Sequence, residues 1–421
     1  MGSAKKFVID DLADVHERCA GIDVHKDSLS VCVIVSGAGG SAEGEVRQFG
    51  TTTRQLRELG AWLEQERVTH VVMESTGVYW KPVWQILDNG RLHLLLANAK
   101  AVKNMPGRKT DQADCIWLAT LLRKGLIRGS FIPPAEIRAL RDLCRCRTTM
   151  VQQRSQTVLR IQKLLEESNI KLDSVLTDVM GVSGRAMLNS LSEGETDEEK
   201  LAALAVPQLR GKLPQLAQAL EGTMVRHQRF VLKQWLNSFE ELDRHIAELE
   251  QEIEAYASPF ESQIGRLDEI PGVNRIGAIA VLSEIGVDMS AFATAGKLCA
   301  WAGVCPGNNE TGGKRKKAGV RSGNRWLRGM LTQCAWAATR TKKSYFHAQY
   351  RKLVGRCGNN KALVAAAHSL LAIIWHMLQR SEPYRDLGAD YFDRLHTQNR
   401  QRAYVRKLEQ LGFKVTLQPA A

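Results

Sequence analysis

The sequence predicts a multidomain protein with an α/β N-terminal domain, an α-helical coiled-coil middle and a mainly α-helical C-terminal domain. Three observations predict this class. The chain has 421 residues, which exceeds the roughly 250–300 residues at which a single hydrophobic core stops growing. Short strand-like runs alternate with helical segments in the first third, and long helical periodicity follows. We place the domains at 18–134, 135–258 and 259–385, with a tail over 386–421.

The first domain begins with three strand-like runs, CAGIDV, SLSVCVIVS and EVRQF, which are separated by turn residues. An amphipathic helix, TTTRQLRELGAWLEQER, follows with Thr52 or Thr53 as its N-cap. Next come strand VTHVVME, a helix from Ser75 to about Leu87, strand LHLLLA and a helix that starts near Thr110. Three strands in hairpin order followed by alternating helix and strand predict a mixed sheet flanked by helices. This order fits a ribonuclease H-like domain of the RuvC type.

The middle region carries an unbroken a/d pattern of apolar and aromatic residues over four heptads, namely Leu232, Trp235, Phe239, Leu242, Ile246, Leu249, Ile253 and Tyr256. A weaker companion pattern consists of Ile137, Leu140, Cys144, Val151, Val158, Ile161 and Leu165. Arg147 and Arg154 occupy its remaining core positions. Two interpretations stay open: an antiparallel helical hairpin within one chain, or a coiled-coil dimer.

After Pro259 the segment LDEIPGVNRIGAIAVLSEIG places a Pro-Gly turn between two apolar helical stretches. This pattern resembles a helix-hairpin-helix, in which backbone N–H groups and a helix N-terminus contact a DNA phosphate. Gly272, Asn274 and Arg275 are therefore candidate nucleic-acid-binding residues.

Positive charge is concentrated in one stretch near the C-terminus. From Thr311 to Ser381 there is no Asp or Glu, while Lys and Arg number 15. Because the net charge of the whole chain is +13, the remainder sums to −2. A long run without acids indicates a polyanionic partner, and nucleic acid is a more economical choice than a membrane surface. The candidate contacts in this stretch are Lys314, Arg315, Lys316, Lys317, Arg321, Arg325 and Arg328.

Other classes of protein are disfavoured by composition. No apolar run reaches the roughly 18 residues that a membrane span requires, and the first residues, MGSAKKFVIDDLADVHE, carry acids where a signal peptide needs apolar residues. The nine cysteines include no CxxC pair. We therefore expect reduced thiols, a cytoplasmic location and no membrane partner.

Four carboxylates stand at positions where an α/β fold brings side chains together. Asp23 ends the first strand, Glu74 ends strand VVME, and Asp111 and Asp114 open a helix at a spacing that places both on one face. Taken singly, each acid also fits an ordinary place at a strand end or in a first helical turn. Together they predict a Mg²⁺ site, with two ions and Mn²⁺ able to substitute, of the kind used in phosphodiester chemistry.

These segments resemble a known family. GIDVHKD, MESTGVYW and GRKTDQADC are similar to the three N-terminal blocks of the insertion sequence 110 transposases. IPGVNRIGA and FATAGKLCAWAGVCPGNNETGGKRKKAGVRSGNRWLRGML are similar to the C-terminal block. The resemblance implies a DEDD metal site at Asp23, Glu74, Asp111 and Asp114 in a RuvC-like domain, a helical linker and a C-terminal transposase domain.

The resemblance also implies partners and a nucleophile. It implies donor and target DNA, a structured bridge RNA as guide, and a homo-oligomer, dimer or tetramer, in a prokaryotic, nucleoid-associated setting. The family's catalytic serine corresponds to Thr311 in this sequence. A threonine hydroxyl is chemically competent, although its methyl group restricts χ1. Ser322 is the nearest alternative hydroxyl.

Three functions are compared. The first is an RNA-guided, metal-dependent transposase that forms a covalent phospho-enzyme. The second is a junction-resolving nuclease in which the metal site activates water as the only nucleophile. A minimal nuclease of this kind does not need the large domain after Pro259. The third is a non-catalytic nucleic-acid-binding protein, in which converging acids would repel phosphate unless metal neutralised them.

Overall fold

The structure, a computed structural model, describes residues 14–37, 42–74, 77–98, 102, 114–307, 310–311, 313–315, 319–320, 322–412 and 414–416. The chain divides into two compact units, Met1–Ile132 and Pro133–Ala421. The division falls close to the predicted end of the first domain. The further boundaries after residues 258 and 385 stay predictions.

The elements of the first unit are, in chain order, β1 (Arg18–Val24), β2 (Ser28–Ser36), β3 (Ala42–Gly50), α1 (Thr53–Gln65), β4 (His70–Glu74), α2 (Trp80–Leu87), β5 (His93–Ala97) and α3 (Asp114–Arg123). The strand order in the sheet is β3-β2-β1-β4-β5. Strands β1, β2 and β3 pair antiparallel, whereas β4 and β5 run parallel to β1. The predicted hairpin order and mixed sheet are confirmed, as is Thr52 as the N-cap of α1.

Helices cover both faces of this sheet, which explains why β1 and β2 are apolar almost throughout. One core joins β1, β2 and β4 to α1 and α2 around Leu59 and Met73. A second core places α3 on the opposite face, around Cys115 and Leu118. The approach of α3 requires a glycine in β1, because a Cβ on Gly21 would lie 2.3 Å from the Cys115 carbonyl oxygen.

Three imidazoles stack where strands β4 and β5 begin. The ring centroids of His16 and His70 are 3.8 Å apart, and those of His70 and His93 are 4.8 Å apart. Burial lowers the pKa of His70 below its ordinary value, and the two neighbouring imidazoles lower it further. This end of the sheet is opposite to the end at which β1 and β4 finish.

The described residues of the second unit are mainly helical and include one short hairpin. Their elements are, in chain order, α4 (Ala135–Glu167), α5 (Leu172–Val175), α6 (Val182–Glu193), α7 (Glu198–Ala203), α8 (Leu213–Leu220), α9 (Arg226–Ala257), α10 (Glu261–Asp268), α11 (Arg275–Ile285), α12 (Ala295–Ala302), β6 (Glu310–Thr311), β7 (Lys314–Arg315), α13 (Arg325–Arg340), α14 (Tyr345–Cys357), α15 (Asn359–Arg380) and α16 (Tyr391–Gln410). Single 3₁₀ turns lie at Pro207–Lys212, Ser258–Phe260 and Met289–Ala291.

Helices α4 and α9 pack against each other as an antiparallel pair within one chain. The two arginines at core positions of the weaker pattern each find an acid on the partner helix. Arg147 Nε donates to Glu250 at 2.8 Å, and Arg154 pairs with Asp243. Since the α4 numbers rise as the α9 numbers fall, the helices run in opposite directions. The packing favours the internal hairpin over the coiled-coil dimer for the buried part of the a/d pattern.

The C-terminal helices pack around α15, which contacts α12, α13 and α14. By length and composition alone α15 could cross a membrane. Its buried face, which includes Ala366, Leu370 and Ile374, lies inside the protein core, and core helices of soluble proteins pass the same test. All nine cysteines are free in the structure.

Candidate functional site

The carboxylates Asp23 and Glu74 lie at one edge of the first sheet. Because β1 and β4 are parallel neighbours with Ile22 opposite Met73, the next residue of each strand reaches the same edge. The Asp23 side chain is 26% exposed, and its Oδ2 lies 3.1 Å from His25 Nε2. Both acids can therefore reach solvent and a substrate at this edge.

Asp114 reaches the same region from α3, of which it is the first residue. The adjacent Cys115 is buried, and burial raises the pKa of its thiol. The negative charges of Asp23 and Asp114 both raise that pKa further. Helix α3 packs on β1, and both carboxylates act on this one buried sulfur atom, while their convergence on a metal ion stays a prediction.

The donor chemistry of this edge fits a hard divalent cation. The half-exposed ligands are carboxylates, which Mg²⁺ prefers, while the thiols behind them stay protonated. Burial raises the pKa of Cys32, on the neighbouring strand β2, to about 12. Asp111 lies outside the described residues. Within the ranges that are described, no three His, Cys, Asp or Glu side chains are close enough together to hold a metal ion.

Thr311 lies in a short β-hairpin. Its strand β6 pairs antiparallel with β7, with Thr311 opposite Lys314, and Gly313 in the turn has a φ of +75°. The base of the hairpin is closed by the Gly307 amide, which donates to the Gly319 carbonyl at 2.8 Å. The structure describes only the backbone of Thr311, Lys314 and Arg315, and Lys316, Lys317 and Arg321 lie outside it. Ser322, the alternative hydroxyl, is exposed beyond the base of the hairpin.

The predicted helix-hairpin-helix is a turn between α10 and α11 that packs on α13. Gly272 has a φ of +84°, and a Cβ there would lie 2.2 Å from the Ala338 amide nitrogen. Asn274 is the N-cap of α11, and its side chain accepts from the Gly277 amide. Packing and capping thus account for both residues, and contact with phosphate stays a prediction for them.

Arg275, at the start of α11, is engaged within the chain. Its guanidinium donates to Glu261 Oε1 at 2.7 Å and to Glu254 Oε2 at 2.6 Å. These two carboxylates raise the pKa of Arg275 above its ordinary value. Since both partners already neutralise it, the structure gives no support for Arg275 as a phosphate contact.

The predicted contacts Arg325 and Arg328 lie in the first turn of α13. The Arg325 guanidinium carbon lies 4.6 Å from the centroid of the Trp326 ring. Asn324 caps the helix by accepting from the Trp326 and Leu327 amides, and its own amide donates to buried Glu284 at 2.6 Å. Sequence reasoning missed the contribution of Glu284 to this arrangement, because an isolated acid in an apolar helix carries no periodic signal.

Sequence comparison assigns both halves of the chain. A DEDD transposase family model of insertion sequence 110 matches residues 20–170. A second model, described as the transposase IS116/IS110/IS902 family, matches residues 265–351. The first match contains all four predicted acids, and the second contains the hairpin with Thr311.

Curated relatives are also named as transposases. A protein of Pseudomonas aeruginosa named "Probable family 20 transposase" is 26% identical over 321 residues, which cover 75% of this chain and 85% of the relative. The transposase for insertion sequence element IS1111A of Coxiella burnetii is 28% identical over 241 residues, which cover 56% of this chain and 62% of the relative.

Among solved structures, the Thermus thermophilus RuvC structure matches 27% of this chain and 99% of its own length, at 14% identity. The TM-score of this match is 0.21, which is too low to support an argument about shared function.

Proposed function

The chain belongs to the insertion sequence 110 family of transposases, and from this premise we propose that it cuts and rejoins DNA at the ends of an insertion sequence under the guidance of a structured RNA. Donor DNA, target DNA and this RNA are the proposed partners. The proposed active form is a homo-oligomer, a dimer or tetramer, in which different protomers contribute the acids and the hydroxyl.

One observation carries the proposal. The parallel pairing of β1 and β4 brings Asp23 and Glu74 to one edge of the sheet. Asp114 begins α3 next to the buried thiol of Cys115, and the charge of Asp23 also acts on this thiol. Asp23 and Glu74 at this edge, with Asp114 at the start of the helix that packs on β1, would repel a phosphodiester unless a cation neutralised them. This arrangement is the expected result of a site that handles phosphate with divalent metal.

In the proposed reaction the acids hold Mg²⁺, which would supply charge neutralisation at the scissile phosphate. Asp23, Glu74, Asp111 and Asp114 are the ligands by this proposal. Asp23 and Glu74 lie at strand ends and Asp114 begins a helix, and rigid elements of this kind suit a preorganised site.

The proposed nucleophile is the hydroxyl of Thr311. Its oxygen attacks phosphorus, a new P–O bond forms to threonine, and the bond from phosphorus to the leaving oxygen of the cut strand breaks. The threonine proton ends on that leaving oxygen. Attack by the freed hydroxyl of another strand on the phospho-threonine would rejoin DNA and restore Thr311. The hairpin supports this role because it presents Thr311 beside Lys314, whose cation suits a phosphate.

The nucleic acid that copurifies with the protein tests the partners. Digestion with RNase or DNase, followed by sequencing, should identify a structured RNA encoded next to the gene. Recovery of DNA alone, from full-length protein that remains active, would contradict RNA guidance.

Trapping of a covalent adduct tests the nucleophile. Thr311→Ala should bind nucleic acid as the wild type does yet form no protein–DNA adduct, whereas Thr311→Ser should retain the adduct. Ser322→Ala serves as the matched control and should leave the adduct unchanged. Cleavage without any adduct in the wild type would instead favour a nuclease that uses water.

A further inference from the structure

A cleft with charged and amide side chains in its walls lies inside the second unit, where α4, α11 and α13 meet. Its volume is about 430 Å³, which is in the range of pockets that bind small ligands or single nucleotides. The cleft is lined by Arg145, Arg147, Gln152, Glu284, Arg325 and Gln333 among other residues. We propose that this cleft binds the phosphodiester backbone of a single nucleic-acid strand.

The charge of the two helices that line the cleft supports this assignment. Helix α13 lies wholly in the stretch without acids. Helix α4 contains a second such run, because no Asp or Glu occurs between Asp142 and Glu166 while five Lys or Arg residues do. The cleft is thus formed where two acid-free helical segments face each other, and a polyanion is the ligand such a surface favours.

The acid that does line the cleft is already neutralised. Glu284 is only 3% exposed, and Arg145 donates to it with both Nε and Nη2, at 2.7 and 2.8 Å. Asn324 supplies a further donor. Glu284 therefore fixes the position of Arg145 at the cleft and adds little repulsion toward a bound phosphate.

Arg325 is the cation best placed to meet a ligand. Its side chain is exposed at the start of α13 and lies on the Trp326 ring. In the described part of the chain no carboxylate is paired with it. An arginine held by an aromatic face and lacking a counterion is preorganised for a phosphate, and its planar fork can bind two oxygens.

The remaining groups suit a strand rather than a small metabolite. Gln152 on α4 and Gln333 on α13 are exposed neutral amides on opposite walls. Amides and arginines bind phosphate and sugar oxygens without regard to sequence. Proteins that bind single strands without sequence preference use positively charged grooves that follow the backbone. The inference rests on nucleic-acid binding in the proposed function. It names a surface that includes Arg145 and also Arg147, which the sequence analysis had placed only in the weaker heptad pattern.

The test measures binding of full-length protein to fluorescein-labelled single-stranded DNA, to RNA of the same sequence and to duplex DNA, by fluorescence anisotropy at several salt concentrations. Arg325→Gln removes one cation, so the slope of log Kd against log salt for single strands should change by about 0.7. Gln152→Glu introduces a negative charge at the cleft and should weaken binding of single strands roughly ten-fold, the effect of about 1.4 kcal/mol.

Gln153→Glu is the matched control, because Gln153 is the next residue of α4, is equally exposed, and does not line the cleft. It changes the net charge by the same amount and should change Kd less than two-fold. Circular dichroism confirms that each variant is folded.

Equal effects of Gln152→Glu and Gln153→Glu, or an unchanged salt slope for Arg325→Gln, would overturn the cleft assignment while leaving the proposed function intact. Failure of the wild type to bind any probe would instead contradict the proposed function. If the cleft is the site, the probe whose Kd Gln152→Glu raises more, single-stranded DNA or RNA, is the strand that the cleft binds.

Discussion

Glu284 links three helices of the second unit, and we predict that Glu284→Gln destabilises this unit strongly. The substitution keeps the shape of the side chain but removes the charge that faces Arg145 and Arg141. These guanidinium groups are 30% and 14% exposed, so water only partly replaces the lost carboxylate. Removing one partner of a buried ion pair costs about 3–5 kcal/mol. Because Arg145 retains some solvent, we expect about 3 kcal/mol.

Thermal unfolding followed by circular dichroism measures this effect. For a unit of this size about 3 kcal/mol corresponds to a Tm lowered by roughly 5 °C. Glu248→Gln is the matched control, since Glu248 pairs with Arg244 on the surface of α9, where both side chains are 58% exposed. Such exposed pairs contribute less than about 1 kcal/mol. Equal Tm values for the two variants would refute the view that Glu284 holds the helices together.

Three further predictions concern the fold. Gly21→Ala should destabilise the first unit by about 1–3 kcal/mol or more, because its Cβ would clash with α3. Gly265→Ala is the control and should have little effect, because the space around Gly265 is open. Equal denaturant midpoints for the two variants would contradict the clash. The pKa of His70 is lowered in the fold, so its contribution to stability is present above its ordinary pKa of 6.5 and is lost as the pH falls below that value. His70→Asn should therefore reduce the change of Tm with pH between about pH 7.5 and 5.5. An unchanged dependence of Tm on pH would contradict the lowered pKa of His70. Replacing Leu242 and Leu249 with Lys should lower Tm without reducing the mass in sedimentation, since α9 packs on α4 in the same chain; a smaller species would restore the dimer interpretation.

Patterns of local sequence predicted the first unit well. Alternating apolar residues define β1 and β2, turn residues separate them, and a Thr before an amphipathic run gives the N-cap of α1. Because strands in this order have few alternative pairings, the hairpin order and the edge shared by Asp23 and Glu74 also follow. The distances between the acids do not follow, since they depend on how closely α3 approaches Gly21.

Partners of charged residues were not predictable, because they depend on the register between distant helices. Arg147 occupies a core position of the weaker heptad pattern, where it would interrupt the apolar packing, yet it forms an ion pair with Glu250 on α9. Arg275 looked like a phosphate contact, yet Glu254 and Glu261 reach it from neighbouring elements.

The acid-free run in α4 was visible in the sequence. It was not predicted as a binding surface, because the heptad pattern of this segment already accounts for its residues and the C-terminal block dominates the charge of the chain. Counting acids along every helix, independently of hydrophobic periodicity, would have revealed it.

The most direct test of the proposed function is cleavage of a supercoiled plasmid that carries the insertion element and its flanks, by protein that retains its copurified nucleic acid. The wild type should cut strands with Mg²⁺ and not with EDTA, and Asp23→Asn should bind the same nucleic acid yet fail to cut, because one of the predicted metal ligands is gone. Asp27→Asn, a change of the same kind at an exposed turn residue, should cut normally. Cleavage by Asp23→Asn at the wild-type rate would contradict the assignment of the carboxylates at this sheet edge as the metal centre.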